Sequence, residues 1–257
     1  MNYFILLAVF LFLYITFLFV ISIIKKRNDI ADIGWGLGFS LLVLISFYFN
    51  FKAEGLNLRS FLVTGLVVIW GLRLSSHIYF RNRSKEEDYR YKKWREEWGR
   101  WFYLRSYGQV YLLQGFLIYL ISLPVLLINQ SGQIALNLFD FIALLIWIVG
   151  FFFEVIGDYQ LKKFIQDPQK EGILETGLWK YSRHPNYFGE VTQWWAIWLF
   201  SLPVFGGFFA ILSPVIITIL ILKISGIPLL EERLKKKPGF KEYKKRVSKF
   251  IPKPPKK

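Results

Sequence analysis

Long apolar stretches alternate along this chain with short, strongly charged ones. A helix needs about 20 apolar residues to cross a bilayer, and seven stretches approach or reach that length, at residues 3–24, 33–51, 60–80, 107–128, 139–160, 187–202 and 205–224. Only Leu202-Pro203-Val204 separates the last two, which predicts a tight helical hairpin. The pattern predicts an all-α integral membrane bundle of about seven transmembrane helices, forming a single membrane domain over residues 1–257.

Charge is distributed unevenly over the segments between these stretches. If the N-terminus lies outside, 30 of the 33 Lys and Arg residues face the cytoplasm, and the outer loops hold only Lys52 and Arg59. This asymmetry follows the positive-inside rule. We therefore expect a multi-pass protein of an inner membrane or the endoplasmic reticulum, with its N-terminus outside and its C-terminus cytoplasmic.

The net charge of +15 is then explained by topology and by contact with membrane lipids, so no nucleic-acid partner is expected. The Lys-rich residues 235–257 are predicted to be a solvated, lipid-attracted end. Residues 81–106 mix charges with aromatic rings, which predicts an amphipathic segment in the headgroup region. The first apolar stretch has no positive N-terminal flank and no small-residue cleavage site, so we expect it to remain as a helix.

Several kinds of site are excluded by composition. The chain has no Cys and only two His residues, His77 and His184, so disulfides, thiolate nucleophiles and a metal centre are not expected. No glycine-rich nucleotide-binding fingerprint follows a strand. The sequence does not indicate an oligomeric state.

The densest polar chemistry lies in the segment GLWKYSRHPNYFGE, residues 177–190. Pro185 favours the first turn of a helix and disfavours helical dihedrals at His184, so a membrane helix is predicted to begin here. The positive dipole end of such a helix attracts anions, and Arg183 is placed to hold a phosphate. Polar groups at this position predict a functional site.

Two pairs of polar residues spaced four apart support the same location. Asn186 and Glu190 share one face of the predicted helix, and we interpret them as a binding site rather than as packing. Glu154 and Asp158 form an acidic pair at the end of the fifth stretch. Glu154 is equally compatible with a structural role.

A third pair, Arg73 and His77, lies within the third stretch. An arginine in hydrocarbon costs about 2.5 kcal/mol even on the lenient scale, so Arg73 must face the protein interior. A structural ion pair with Asp32 and a substrate-binding role are both open.

Residues 177–190, Gln193-Trp194-Trp195, the stretch from Phe240 to Tyr243 and Phe250-Ile251-Pro252 together resemble the C-terminal half of the steroid 5α-reductase family. The chain is most similar to the bacterial, functionally undefined branch of that family. The resemblance covers residues 150–252 and is scattered before them. It implies seven membrane helices and NADPH-dependent reduction of an activated carbon–carbon double bond in a lipid-like substrate, such as a steroid, sterol or isoprenoid.

The resemblance also implies roles for individual residues. Residues 150–257 would form the cofactor-binding half and residues 1–149 the substrate side. Asn186 and Glu190 would contact the nicotinamide-ribose part of NADPH, and the cofactor-binding residues as a set would be Asp158, Tyr181, Arg183, His184, Asn186, Tyr187, Glu190 and Tyr243. Candidates for the catalytic acid are Asp32, His77 and Tyr79, and Arg73 is the candidate for substrate binding.

The Arg-His-Pro motif is shared with sterol reductases and with isoprenylcysteine carboxyl methyltransferases. Glu231-Glu232 and Tyr243 fit the methyltransferase pattern. The alternative function is therefore an S-adenosylmethionine-dependent methyltransferase.

Overall fold

A computed structural model describes residues 2–167, 169 and 172–256 of the chain. These residues form helices joined by turns, and no β-strand occurs among them. The helices are α1 (Tyr3–Lys25), α2 (Ile30–Glu54), α3 (Leu58–Asn82), α4 (Tyr89–Trp98), α5 (Phe102–Ser106), a π-helical segment (Tyr107–Leu112), α6 (Leu113–Gln130), α7 (Leu138–Gln166), α8 (Pro185–Ser201), α9 (Leu212–Ile219), α10 (Ile227–Leu234) and α11 (Phe240–Arg246).

Six continuous helical stretches of the described chain are long and apolar enough to cross a membrane. They are α1, α2, α3, the stretch Tyr89–Gln130, α7 and the stretch Gly207–Leu234. The predicted stretch that is not among these six is the sixth, residues 187–202, which corresponds to α8; its 17 residues extend about 25 Å at 1.5 Å per residue. The all-α, multi-pass prediction of about seven helices is confirmed.

The chain separates into two compact units. The first contains Met1–Leu136 with Ser201–Ala210, and the second contains Asn137–Phe200 with Ile211–Lys257. The predicted halves met at residue 149/150, but α7 runs through that position without a break. The unit boundary therefore precedes α7, where Asn137 caps the helix by accepting from the Phe139 N–H at 2.9 Å.

In the first unit, α2 and α3 approach closely because glycines face each other. A Cβ atom on Gly36 would collide with the carbonyl oxygen of Gly71, and the reverse substitution would collide equally. One turn along each helix, Ser40 donates to the Gly36 carbonyl at 3.0 Å and Ser75 donates to the Ile33 carbonyl at 2.8 Å. Small residues allow this separation, which is typical of helix pairs in membranes.

A buried polar cluster links four helices of the same unit. Asn129 on α6 accepts from the Ser60 hydroxyl of α3 and donates to Ser46 Oγ of α2 at 2.9 Å. Ser46 is in turn hydrogen-bonded to the Tyr3 hydroxyl of α1 at 2.5 Å. Because these groups lie away from water, their mutual bonds hold α1, α2, α3 and α6 in one register.

In the second unit, α8 and α9 lie side by side. The indole N–H of Trp195 donates to the Thr218 hydroxyl at 3.2 Å. A helical hairpin was predicted for the last two apolar stretches, and such a hairpin brings these two helices into contact.

Candidate functional site

The site begins where α7 and α8 cross. Gly150 and Gly189 face each other so closely that a Cβ atom on either residue would meet the other's carbonyl oxygen. One turn away, the Gln193 amide donates to Glu154 at 2.5 Å, and both side chains are buried. Glu154 thus packs in the helix contact, which is the structural one of its two predicted roles.

A further turn along α7, Asp158 and Asn186 meet. The Asn186 amide N–H donates to Asp158 Oδ1 at 3.0 Å, and Gly157 allows the contact because a Cβ atom there would lie 3.0 Å from the Asn186 backbone nitrogen. Asn186 Oδ1 is buried, and no described residue donates a hydrogen bond to it. The structure therefore brings together two of the residues predicted to bind cofactor.

Arg183 is held by a carboxylate 48 residues away in the sequence. Its Nε and Nη2 donate to Glu231 Oε1 at 2.8 and 2.7 Å, and its Nη1 donates to the Lys244 and Val247 carbonyls at 3.2 and 2.7 Å. The sequence predicted that this guanidinium holds a phosphate. In the structure its N–H groups bond to Glu231 and to the two backbone carbonyls instead. Arg183 fastens the loop before α8 onto α10 and α11.

His184 contacts the same carboxylate. Its Nε2 lies 3.3 Å from Glu231 Oε1, and its ring stacks on Tyr187 with 5.9 Å between centroids. Burial lowers the pKa of His184 below its ordinary value, against the opposing effect of Glu231. The imidazole is therefore neutral near pH 7, with Nε2 donating to Glu231, and no described residue is hydrogen-bonded to the buried Nδ1.

The C-terminal segment docks on the motif as well. Ser248 and Phe250 accept hydrogen bonds from the Arg183 N–H at 2.9 Å and the Ser182 hydroxyl at 2.7 Å. The Lys253 N–H donates to the Tyr181 carbonyl at 3.0 Å. Lys249, Ile251 and Lys253 are exposed, as predicted for a solvated end, although the backbone of this segment bonds to residues 181–183, whose polar groups need partners. The prediction of a solvated end over residues 235–257 is wrong for Phe240, Tyr243 and Val247, which are buried.

Tyr243 and Tyr181 differ in burial. Tyr243 is buried on α11 and donates its hydroxyl to the Trp179 carbonyl at 2.7 Å, and burial raises its pKa. Tyr181 has 42% of its surface exposed, with the Lys180 ammonium 5.9 Å from its ring centroid. Tyr187 and Glu190 are half-buried on α8.

The candidates for the catalytic acid lie in the first unit. Asp32, at the start of α2, accepts from the Arg90 guanidinium at 2.8 Å and from the Tyr91 hydroxyl at 2.8 Å. Arg90 is therefore the ion-pair partner that the structure shows for Asp32. Tyr79 is 49% exposed, and Arg73 and His77 are half-buried on α3.

Sequence reasoning did not anticipate the partners Tyr91 and Glu231. Tyr91 lies within residues 81–106, for which the sequence predicts an amphipathic segment and no site. Glu231 had been noted as one of an acidic pair. Both signals were present in the sequence, but neither indicated a contact with Asp32 or with the Arg-His-Pro motif.

Comparison with known proteins places the chain in a family. Residues 18–247 match the family described as "Protein of unknown function (DUF1295)". The uncharacterized protein C594.04c of Schizosaccharomyces pombe is 27% identical over 208 residues, which cover 70% of this chain and 59% of that protein. The chain thus spans somewhat more than half the length of this curated relative.

The comparison with solved structures found no match. The family match extends from within α1 to the end of α11 and so includes both units and every candidate residue described above. The chain belongs to the DUF1295 family.

Proposed function

We propose that this protein is a membrane-embedded, NADPH-dependent reductase of an activated carbon–carbon double bond in a lipid-like steroid, sterol or isoprenoid substrate. The observation that carries the proposal is a pair of buried acceptors in the Arg-His-Pro-Asn segment. His184 Nδ1 and Asn186 Oδ1 receive no hydrogen bond from the described residues. A buried polar atom without a partner costs about 1–3 kcal/mol, so such atoms call for an explanation.

A bound cofactor would supply the missing donors. NADPH carries amide N–H and ribose O–H groups, which suit acceptors such as the Asn186 oxygen and the neutral Nδ1 of His184. Asn186 and Glu190 are the residues to which the 5α-reductase resemblance assigns this contact, and Asp158, to which it assigns a cofactor-binding role, accepts a hydrogen bond from Asn186. The residues present therefore fit the cofactor.

Arg183 takes a different role in this proposal from the one predicted. Four hydrogen bonds to Glu231 and to backbone carbonyls satisfy its guanidinium. We assign it to positioning the loop that carries His184. The phosphate groups would then fall to other basic residues.

The bound cofactor supplies a hydride, and the protein must orient the substrate and deliver a proton. We propose Tyr91 as the acid group, with Asp32 holding its hydroxyl and Arg90 balancing the charge of Asp32. Tyr91 is buried, and its hydroxyl hydrogen bonds to Asp32, so this hydrogen would have to turn from Asp32 to the substrate for Tyr91 to act as the acid. Asp32 keeps a part in the reaction, as a positioning residue.

The methyltransferase alternative has one observation in its favour. Glu231, from the methyltransferase-like acidic pair, contacts both Arg183 and His184 of the shared motif. The same segment could therefore hold S-adenosylmethionine.

Titration calorimetry of the detergent-purified chain against NADPH and S-adenosylmethionine separates the two functions. We expect NADPH to bind more tightly, and Asn186→Leu to weaken it at least tenfold because one buried acceptor is lost. Thr192→Val, on the same helix, is the control. Binding of S-adenosylmethionine alone would transfer the assignment to the methyltransferases, and failure of both ligands to bind would overturn the proposed site.

A further inference from the structure

A groove lies in the first unit where the charged helix α4 meets the π-helical segment. It has a volume of about 560 Å³ and is lined by Trp94, Trp98, Gly108, Gln109 and Leu113. The two indoles stack in parallel, with ring centroids 5.1 Å apart and an interplanar angle of 10°. The lining is thus mostly apolar, with a single polar side chain.

Gly108 is the reason the groove is open. A Cβ atom at this position would have no heavy atom within 4 Å, so no packing requirement excludes a larger residue. The π-helical turn from Tyr107 to Leu112 adds a residue to the helix and displaces its register, as such turns do near functional sites. A side chain at position 108 would occupy the space that glycine leaves.

A cation stands beside the apolar wall. The Arg105 guanidinium lies 5.9 Å from the centroid of the Trp98 ring, its side chain is exposed, and no carboxylate of the described chain pairs with it. Arg95, by contrast, is paired with Glu87 at 3.0 Å. Arg105 is therefore available to an anion at the mouth of the groove.

We propose that this groove binds one anionic phospholipid. Its phosphate would contact Arg105, and an acyl chain would lie along Trp94, Trp98 and Leu113. Charge complementarity selects this occupant, because residues 81–106 contain nine basic and five acidic side chains. The position of the groove also fits a phospholipid. The groove lies between the charged α4, which suits a headgroup, and the apolar stretch that continues into α6, which suits an acyl chain. The proposal is independent of the cofactor and substrate.

Native mass spectrometry of the delipidated full-length chain tests the proposal. Phosphatidylglycerol and phosphatidylcholine with identical acyl chains are titrated separately. We expect phosphatidylglycerol to bind the wild-type chain about fivefold more tightly, and Arg105→Gln to remove that preference, since one cation near a lipid surface contributes about that factor. Lys52→Gln is the control, because Lys52 also stands over an aromatic ring, that of Tyr48.

Gly108→Leu tests the groove itself and should weaken binding of both lipids. The matched control is Gly65→Leu on α3, where a Cβ atom likewise meets nothing within 4 Å. If Gly108→Leu does not yield folded protein, tryptophan fluorescence replaces this variant. Phosphatidylglycerol with brominated acyl chains should quench the fluorescence of the wild-type chain, and it should quench that of Trp98→Phe less. Three outcomes would overturn the proposal. They are equal binding of the two lipids to the wild-type chain, an unchanged preference for phosphatidylglycerol in Arg105→Gln, and equal effects of the two glycine substitutions.

Discussion

The guanidinium of Arg183 lies 2.7 Å from the carboxylate of Glu231, with side-chain exposures of only 5% and 11%. This ion pair joins the loop before α8 to α10, and His184 contacts the same oxygen atom. One carboxylate therefore organises the most polar segment of the second unit.

The first prediction is that Glu231→Gln strongly destabilises the protein. Removing one partner of a buried ion pair leaves the other charge uncompensated, at a cost of about 3–5 kcal/mol. Thermal unfolding in detergent measures the loss. Glu232→Gln is the control, because Glu232 is 71% exposed and pairs with Lys235, and an equal fall for the two variants would contradict a special role for Glu231.

The second prediction is that acid weakens the fold through His184. The pKa of His184 is lowered by burial from its ordinary value of 6.5. Below about pH 6.5 the unfolded chain therefore binds a proton at His184 that the folded chain does not bind. The contribution of His184 to the free energy of unfolding is complete above pH 6.5 and is lost as the pH falls towards the lowered pKa.

Melting temperatures at pH 7.5 and pH 5 measure this dependence. Glu231, Arg183 and Lys249 act on the charge of His184, so the comparison leaves these residues unchanged. His184→Gln should have the smaller difference between the two pH values, whereas Thr192→Val, which removes no titratable group, should retain the wild-type difference. If His184→Gln retained it as well, another group would be responsible.

The third prediction distinguishes two glutamates of the second unit. Glu190→Ala should weaken NADPH binding about tenfold to more than a hundredfold, because a hydrogen bond to a charged group contributes about 1.5–3 kcal/mol. Glu154→Ala should mainly lower the melting temperature, because it removes one of the two acceptors of the buried Gln193 amide. Normal NADPH binding by folded Glu190→Ala would show that this carboxylate is structural.

The fourth prediction concerns the reaction. Tyr91→Phe should lower NADPH oxidation by 10²–10⁴-fold when the enzyme is supplied with a panel of enone lipids, the range typical for loss of a general acid, while its affinity for NADPH stays unchanged. Tyr103→Phe is the matched control, because Tyr103 is an exposed tyrosine of the same unit and belongs to no proposed site. Retained activity in Tyr91→Phe would remove the tyrosine from the mechanism.

The fifth prediction is a topology. Reporter fusions at Lys257 and within residues 51–59 should give opposite signals, because 30 basic residues lie on one predicted side and two on the other. We expect the C-terminal fusion to report the cytoplasm. Two fusions that report the same side would contradict the arrangement with the N-terminus outside.

The class of protein and the positions of its membrane helices could both be predicted from the sequence. Apolar stretches of about 20 residues have few alternatives to a membrane helix, because backbone groups in lipid must bond to one another. Pro185 correctly predicted the beginning of α8, because proline has no N–H to leave unpaired in the first turn and its fixed φ suits a helix. Local chemistry sets both features, and local chemistry can be read from a sequence.

Which charges pair depends on the fold and could not be predicted from the sequence. Arg183 meets Glu231 across 48 residues, and Asp32 meets Arg90 and Tyr91 across 58 and 59 residues. The sequence contains several basic residues that could pair with each carboxylate. It left an ion pair between Arg73 and Asp32 open, and it predicted that Arg183 holds a phosphate. The packing of the helices selects one partner for each charge, and close contacts such as Gly150 with Gly189 set that packing. A buried charge is stabilised only by a partner within hydrogen-bonding distance, and the packed backbone decides which residue that is.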